Sequence, residues 1–307
     1  MNDRPDLTVI ILTFNEAIHI ERCIRSVEPI ARQVYVIDSY STDETVAIAQ
    51  SLGAAVLQHP FINQAKQFQW ALDHCAIDSK WVIRLDADEY PEPELVNEIS
   101  DRLPRLSHDV AGIKLRRRHI FMGRWIRHGT RYPLVLLRIW RTGQGRIEQR
   151  WMDEHMVVEE GKVITFEHDF SDDNLRDISW WTEKHNQYAT REALDVLNGK
   201  YGLFASDAAM IEQERFSQAG LKRIVKERIY NLLPAFSGPL LYFLYRYFLR
   251  LGFLDGREGA VYHFLQGFWY RFLVEAKVME LERVLTPLTD RESRVVKLEQ
   301  LTGYSLR

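Results

Sequence analysis

The sequence predicts an α/β fold: a doubly wound, mostly parallel sheet followed by a helical C-terminal appendage. Three observations predict it. Over the first hundred residues, short β-branched runs alternate with segments of helical period, the order of a parallel sheet with helices on its faces. The first run has no polar break, as in a strand covered on both sides. Towards the C-terminus the chain turns aromatic and helical, with fourteen of its 36 aromatic residues between 230 and 272.

The elements follow in order. Residues 8–12 (TVIIL) read as the first strand, and Asn15 opens a helical pattern through Ile18, Ile20, Ile24 and Val27. Residues 34–37 (VYVI), 54–57 and 81–85 (WVIRL) read as three more strands, with helices over 41–52 and 63–75 between them. Ligands of such sheets bind beyond the carboxyl ends of the strands. Those ends carry Thr13-Phe14-Asn15-Glu16, Asp38-Ser39-Tyr40 and Asp86-Ala87-Asp88-Glu89. Residues 114–150 hold eleven Lys or Arg against one acid, Glu148, and 176–198 read as a helix. The expected division is a ligand-binding and catalytic domain over 1–215 and a helical tail over 216–307.

Composition narrows the function. Of 307 residues, 46% are hydrophobic and 27% charged, with a net charge of -3, so no basic excess points to nucleic acid. Two cysteines, Cys23 and Cys75, make a disulfide framework or a cysteine zinc site improbable and suit a reducing cytoplasm. Residues 1–6 are polar and the first apolar run is too short for a leader. No stretch of eighteen uncharged apolar residues offers a transmembrane helix.

Asp86 and Asp88 stand two apart after an apolar strand, so in an extended chain both carboxylates point one way. Such a pair repels unless a cation lies beside it, and hard ions such as Mg²⁺ or Mn²⁺ bind through one or two carboxylates plus substrate phosphates. The other reading is a solvated turn. With Asp38 and residues 13–16 at neighbouring tips, a nucleotide diphosphate has groups for base, ribose and phosphates. The glycine-rich dinucleotide fingerprint and the Walker pattern are both missing after the first strand.

VIILTFNE, VIDSYSTDET and WVIRLDADE resemble the three N-terminal motifs of the family 2 inverting glycosyltransferases, which have the GT-A fold. That family commonly reads V-V-I-P-T-Y-N-E, V-D-D-G-S-T-D-x-T and D-x-D. The resemblance covers roughly residues 7–200. It is nearest to bacterial lipopolysaccharide-core and surface-polysaccharide enzymes, which carry G-[RK]-W, an acidic pair, a later His and a K-x-N-x-Y-A helix. Here these are Gly123-Arg124-Trp125, Asp153-Glu154, His168 and Lys184-His185-Asn186-Gln187-Tyr188-Ala189. Ser39 and Tyr40 depart from the D-D-G-S pattern.

The resemblance implies a GT-A-like (Rossmann-like) domain that transfers a sugar, with inversion, from a nucleotide-diphosphate donor, first of all a UDP-sugar. The acceptor would be a saccharide of lipopolysaccharide or another surface glycan. It implies that Thr13, Asn15 and Glu16 line the nucleoside pocket, with Glu16 accepting from a ribose hydroxyl and Asp38 from a base N–H. The bland reading of Thr13 and Asn15 is N-capping, and that of Asp43 is stabilising the following helix. Lys66 would lie near the donor or on a solvated helix face. Asp86 would meet ribose or metal-bound water, and Asp88 would ligate the divalent ion, Mg²⁺ or Mn²⁺, with His168 as a third ligand or a diphosphate contact.

Inverting transfer needs one general base. Asp153 and Glu154 interrupt an apolar run, where desolvation raises a carboxylate's pKa. Related enzymes carry H-E there, which favours Glu154 over Asp153. Arg116, Arg117, Arg118 and Arg124 are the phosphate candidates of the basic segment, for the donor or a lipid-linked acceptor; otherwise the segment is a solvated ribbon. Arg131 and Arg138 are further candidates in the same segment. Residues 232–253 are apolar, broken by Pro234 and Pro239, and charged at Arg246 and Arg250, which suits a membrane-surface helix on the inner leaflet or a packed hairpin or homodimer contact. Two other functions compete: a sugar-phosphate nucleotidylyltransferase, and a non-catalytic lipid- or polyanion-binding module.

Overall fold

The computed structural model describes residues 4–148, 156–204 and 236–306. They form two compact units, Met1–Leu175 and Arg176–Arg307.

In the first unit, β1 (Leu7–Thr13), α1 (Ala17–Val27), β2 (Gln33–Asp38), α2 (Thr45–Ser51), β3 (Ala55–Gln58), α3 (Gln64–His74) and β4 (Trp81–Asp86) follow the expected alternation. The four strands are parallel, in the order β3-β2-β1-β4. Then come β5 (Glu89–Pro91), α4 (Pro93–Arg102), β6 (Val110–Phe121), β7 (Arg124–Trp125), β8 (Leu134–Arg141), β9 (Gly145–Ile147), β10 (Met156–Val158) and β11 (Lys162–Asp173). The sheet continues as β4-β8-β6-β11-β5. Here β8 runs antiparallel to both β4 and β6, β11 parallel to β6, and β5 antiparallel to β11. The basic segment is therefore mostly strand. Its hairpin turns at Met122 and Gly123, with φ of 51° and 75°, the two left-handed positions that a tight hairpin needs.

Side chains alternate across β1. Leu7, Val9 and Ile11 pack with Ile20, Ile24 and Val27 of α1 and Leu95 and Ile99 of α4. Ile10 faces the other way, into a core with Ala65, Phe68 and Ala71 of α3 and with Trp140, Ile147 and Met156. Each buried Leu, Ile, Val, Phe or Met among them contributes about 2 kcal/mol. The result is a three-layer sandwich, with helices on both faces of the sheet.

The second unit contains α5 (Ile178–Tyr201), α6 (Ser237–Leu244), α7 (Gly256–Phe264), α8 (Tyr270–Leu285) and α9 (Arg291–Thr302). A π-helical turn, Leu265–Trp269, joins α7 to α8. Asp177 caps α5 by accepting from the Trp180 N–H, and Gly202 ends the helix with φ 61°. Ala193, Leu194 and Leu197 pack with Leu281, Leu285, Val295 and Leu298. The units thus part at 175/176 rather than near residue 215, because the apolar stripe of α5 is buried among C-terminal helices. None of the described helices is long and apolar enough to cross a membrane.

Candidate active site

Parallel pairing aligns the strand tips. Thr13 stands beside Asp38, and Leu12 beside Asp86. The structure therefore brings Thr13, Asp38 and Asp86 to one edge of the sheet.

At the first two tips the loops are zipped together. Asn15, at φ 54°, accepts from the Thr42 N–H (2.8 Å) and gives its own N–H to Ser41 Oγ (2.8 Å). The Glu16 N–H donates to Thr45 Oγ1 (2.8 Å). Asp43 accepts from the Ala17 N–H (3.2 Å) and the Thr45 N–H (3.0 Å), tying the first turns of α1 and α2 together. Burial pushes the Asp43 carboxyl up, but the Thr45 and Ala17 donors outweigh it and leave it lowered. These bonds are the helix-stabilising contacts expected of Asp43. The N-cap position of α1 falls on Glu16 rather than on Thr13 or Asn15, and Thr13 Oγ1 instead donates to Asp38. These loop contacts also delay α2 to Thr45, past the expected start at 41.

Asp38 differs from expectation. It is 0% exposed. It accepts from Thr13 Oγ1 (3.2 Å), the Ser41 N–H (2.9 Å), the Ser41 hydroxyl and Gln58 Nε2 (2.9 Å). Its acceptor capacity is engaged within the chain, so it holds two loops together rather than offering oxygens to a base. Glu16 is held to the buried His19 ring, Oε2 to Nδ1 at 2.5 Å, and His19 Nε2 accepts from the Leu175 N–H (2.8 Å). Phe14 and Tyr40, at the tips of β1 and β2, are 55% and 53% exposed. Tyr40 adopts φ 61° where the resembling pattern has glycine. A bulky residue with φ above zero is a strained choice that often marks function.

At the β4 tip, Asp86 ends the strand and Asp88 lies in the turn that follows; both are partly exposed and Ala87 between them is buried. Gln64, in the first turn of α3, donates to Asp86 Oδ1 (3.3 Å), and Asn174 donates to Asp88 Oδ2 (2.9 Å). Glu89 is 1% exposed. Its Oε2 accepts the Asp86 N–H (3.0 Å) and its Oε1 accepts from Arg138 (2.6 Å). Burial pushes the Glu89 carboxyl up to about 8, against the pull of Arg138 and with a further push from Asp86. Arg117 reaches Glu89 (3.8 Å) and Asp172 (3.3 Å), and His119 reaches Asp172 (3.2 Å). Burial, then Arg131, pushes His119 down to about 4. Burial would raise Asp172, but Arg117 and His119 outweigh it and hold that carboxyl far below its usual range.

Strand alternation sorts the arginines. Arg117 and Arg138 join the network behind the acidic turn. Arg116 donates to the Glu167 carbonyl (3.1 Å), and Arg118 is paired with Asp169 (2.7 Å) and Glu92 (3.5 Å). Arg116 and Arg118 are thus not brought to the acidic pair. Arg124 is exposed at the start of β7, next to the hairpin turn, and Lys66 is exposed in the first turn of α3, two residues after Gln64.

His168 is likewise separate. It lies in a bulge of β11, where its Nδ1 (3.0 Å) and its N–H (3.0 Å) both meet Glu98 Oε2. The Asp88 carbonyl accepts from the Asp173 N–H (3.0 Å), five residues further along the strand. At about 3.3 Å per residue that is roughly 16 Å, too far to share an ion. Asp153 and Glu154 lie outside the described residues. The strands on either side of them pair, Ile147 with Met156, and pack on the face that carries α3.

Two carboxylates at an exposed turn suit a hard cation completed by substrate phosphates. Among the described residues no group of three or more His, Cys, Asp or Glu could hold an ion by itself, so the fit requires those phosphates. Sequence reading missed Gln64, Asn174 and the exposed role of Phe14 and Tyr40. The aromatic neighbours of N-E and S-T-D were the available signal.

Comparison with known proteins bears on this site. The model of "Glycosyl transferase family 2" matches residues 8–173. An uncharacterized glycosyltransferase of Rickettsia bellii (strain RML369-C) is 46% identical over 93 residues, 30% of this chain and 31% of that protein; the match thus spans about a third of that relative. The lipopolysaccharide core biosynthesis glycosyltransferase LpsC of Rhizobium meliloti (strain 1021) is 28% identical over 271 residues, 84% of this chain and 89% of LpsC. Glucosyl-3-phosphoglycerate synthase from Mycobacterium tuberculosis, in complex with Mn²⁺, UDP and glucosyl-3-phosphoglycerate, has a TM-score of 0.31 at 22% identity, over 38% of this chain and 44% of that one.

Proposed function

The chain belongs to glycosyl transferase family 2, and from that premise we propose that it is a metal-dependent, inverting enzyme moving a sugar from a nucleotide diphosphate to a bacterial surface glycan. Membership sets aside the nucleotidylyltransferase and non-catalytic readings. The observation that carries the proposal is the alignment of the β1, β2 and β4 tips, with a partly exposed carboxylate pair at the third. The likeness to LpsC along most of both chains supports a lipopolysaccharide-core saccharide as acceptor. A lipid-linked acceptor of that kind would be met at the inner face of the cytoplasmic membrane.

The chain's own residues divide the work. Phe14 and Tyr40 flank the nucleoside, where an aromatic face stacks on any base. Glu16 and Asn15 border the ribose, and Asp38 keeps their loops in place. Asp86 and Asp88 would hold a divalent ion, Mg²⁺ or Mn²⁺, which neutralises charge on the leaving diphosphate. Gln64, Asn174 and the Glu89–Arg138 pair fix those two carboxylates. Lys66 and Arg124, both exposed, are available to donor or acceptor phosphates. Glu154, with Asp153 as the alternative, takes the proton of the acceptor hydroxyl. The acceptor oxygen bonds the anomeric carbon as the bond to the diphosphate breaks, and the configuration inverts.

Incubation of UDP-sugars with deacylated core oligosaccharide tests the reading. Product should form with Mn²⁺ and vanish with EDTA, and Asp88→Asn should lose at least a hundredfold in rate while keeping its fold. Full turnover in EDTA, or in Asp88→Asn, would contradict it.

A further inference from the structure

Residues 237–264 are packed inside out. Leu240, Leu244, Phe248, Phe253 and Leu254 are exposed, and Leu249 is 75% exposed. Three charged or titratable side chains of the same stretch, Arg246, Asp255 and His263, are buried. Arg246 is 4% exposed and lies over the rings of Tyr242 (5.5 Å) and Tyr262 (5.7 Å). Asp255 and His263 are buried and meet at 3.2 Å, Oδ2 to Nε2.

Glycines make room for this polar interior. A Cβ on Gly252 would stand 2.8 Å from His263 Nε2, and one on Gly259 would stand 2.3 Å from Asp255 Cβ. The arrangement is therefore close-packed and specific to these side chains.

Water favours the reverse arrangement. Burying a Leu or Phe is worth about 2 kcal/mol, whereas burying an ion requires partners. An apolar exterior over a paired polar interior is what a protein shows to hydrocarbon. Two exposed arginines, Arg250 and Arg257, lie among the apolar side chains, where anionic headgroups would complement them. None of the described helices is long and apolar enough to cross a bilayer, so contact with lipid would be made at the surface.

We propose that residues 237–264 form a lipid-facing wedge. Leu249 and its apolar neighbours enter the boundary between headgroups and acyl chains of an anionic bilayer, and Arg250 and Arg257 meet lipid phosphates. The inference rests on the membrane-surface reading above and names the segment that carries it.

The test uses the full chain with vesicles of phosphatidylcholine, alone or with a quarter phosphatidylglycerol. The wild type should float with the anionic vesicles. The double variant Phe248→Ser/Leu249→Ser should bind at least tenfold more weakly. Arg250→Gln/Arg257→Gln should lose about thirtyfold on anionic vesicles, near 1 kcal/mol for each arginine, and nothing on neutral ones. UDP-sugar hydrolysis in solution should persist in both variants. Unchanged flotation of the Phe248/Leu249 variant would overturn the wedge. So would a wild type that ignores vesicles but forms a dimer which those substitutions dissociate. If vesicle binding behaves as stated and no sugar is transferred, the proposed reaction fails while the wedge stands.

Discussion

Replacing Asp38 separates a structural role from base recognition. Its carboxylate accepts four hydrogen bonds at 0% exposure. Asp38→Ala strands the buried Thr13 hydroxyl and the half-buried Ser41 groups. Gln58, which is exposed, turns to water. Each buried polar group left unpaired costs about 1–3 kcal/mol, so the loss is about 2–4 kcal/mol. Asp38→Asn keeps the size and one acceptor oxygen and should cost about half as much. At about 2–4 °C per kcal/mol for a unit of this size, Asp38→Ala should melt roughly 5–15 °C lower. The assay is urea unfolding followed by tryptophan fluorescence, paired with UDP and GDP affinities for Asp38→Asn. Both nucleotides should weaken together, because the loops loosen without loss of a base contact. A stability change under about 1 kcal/mol for Asp38→Ala, with UDP selectivity lost in Asp38→Asn, would refute the reasoning.

Further expectations concern other parts of the site. Phe14→Ala removes a stacking face worth about 1–3 kcal/mol, so UDP affinity should drop roughly 5- to 150-fold while urea stability holds; unchanged affinity in calorimetry would deny the stack. Glu154→Gln should slow turnover about 10²- to 10⁴-fold with donor affinity intact, and a loss of donor binding would give Glu154 another role. Glu98 is raised by burial, but the N–H groups of Glu167 and His168, the His168 ring and Arg102 outweigh this and leave it lowered. A lowered carboxylate stabilises the fold above its unfolded pKa of about 4.3, and the benefit fades as pH falls through its folded value. The stability gap between wild type and Glu98→Gln, on the order of 2 kcal/mol, should therefore be full at pH 6 and close towards pH 3. A gap that widens in acid would contradict this.

The parallel half of the sheet was legible because its strands are apolar runs whose burial on both faces leaves no polar break. Residues 110–173 were not, although they contribute the longest strands. Their inward positions include Arg117 and Arg138, and an arginine reads as core only when its carboxylate is known. Glu89 and Asp172 come from β5 and β11, and pairing across such separations leaves no local signature. The acidic turn was legible from its spacing, but not the Gln64 and Asn174 amides that hold it. His168 misled because chain order says nothing of register: the β11 bulge turns it to Glu98 of α4. The tail's aromatic composition was visible, whereas the placement of Arg246 inside and Leu249 outside falls within the π-helical turn Tyr245–Leu249, which no composition signals.

A crystal of the protein with UDP and Mn²⁺, examined by anomalous scattering, tests the central claim most directly. The account predicts a manganese peak bonded to Asp88 and to both phosphoryl groups, with the uracil against Phe14. A nucleotide bound away from the tips of β1 and β4, or a diphosphate held with no ion beside Asp88, would contradict it.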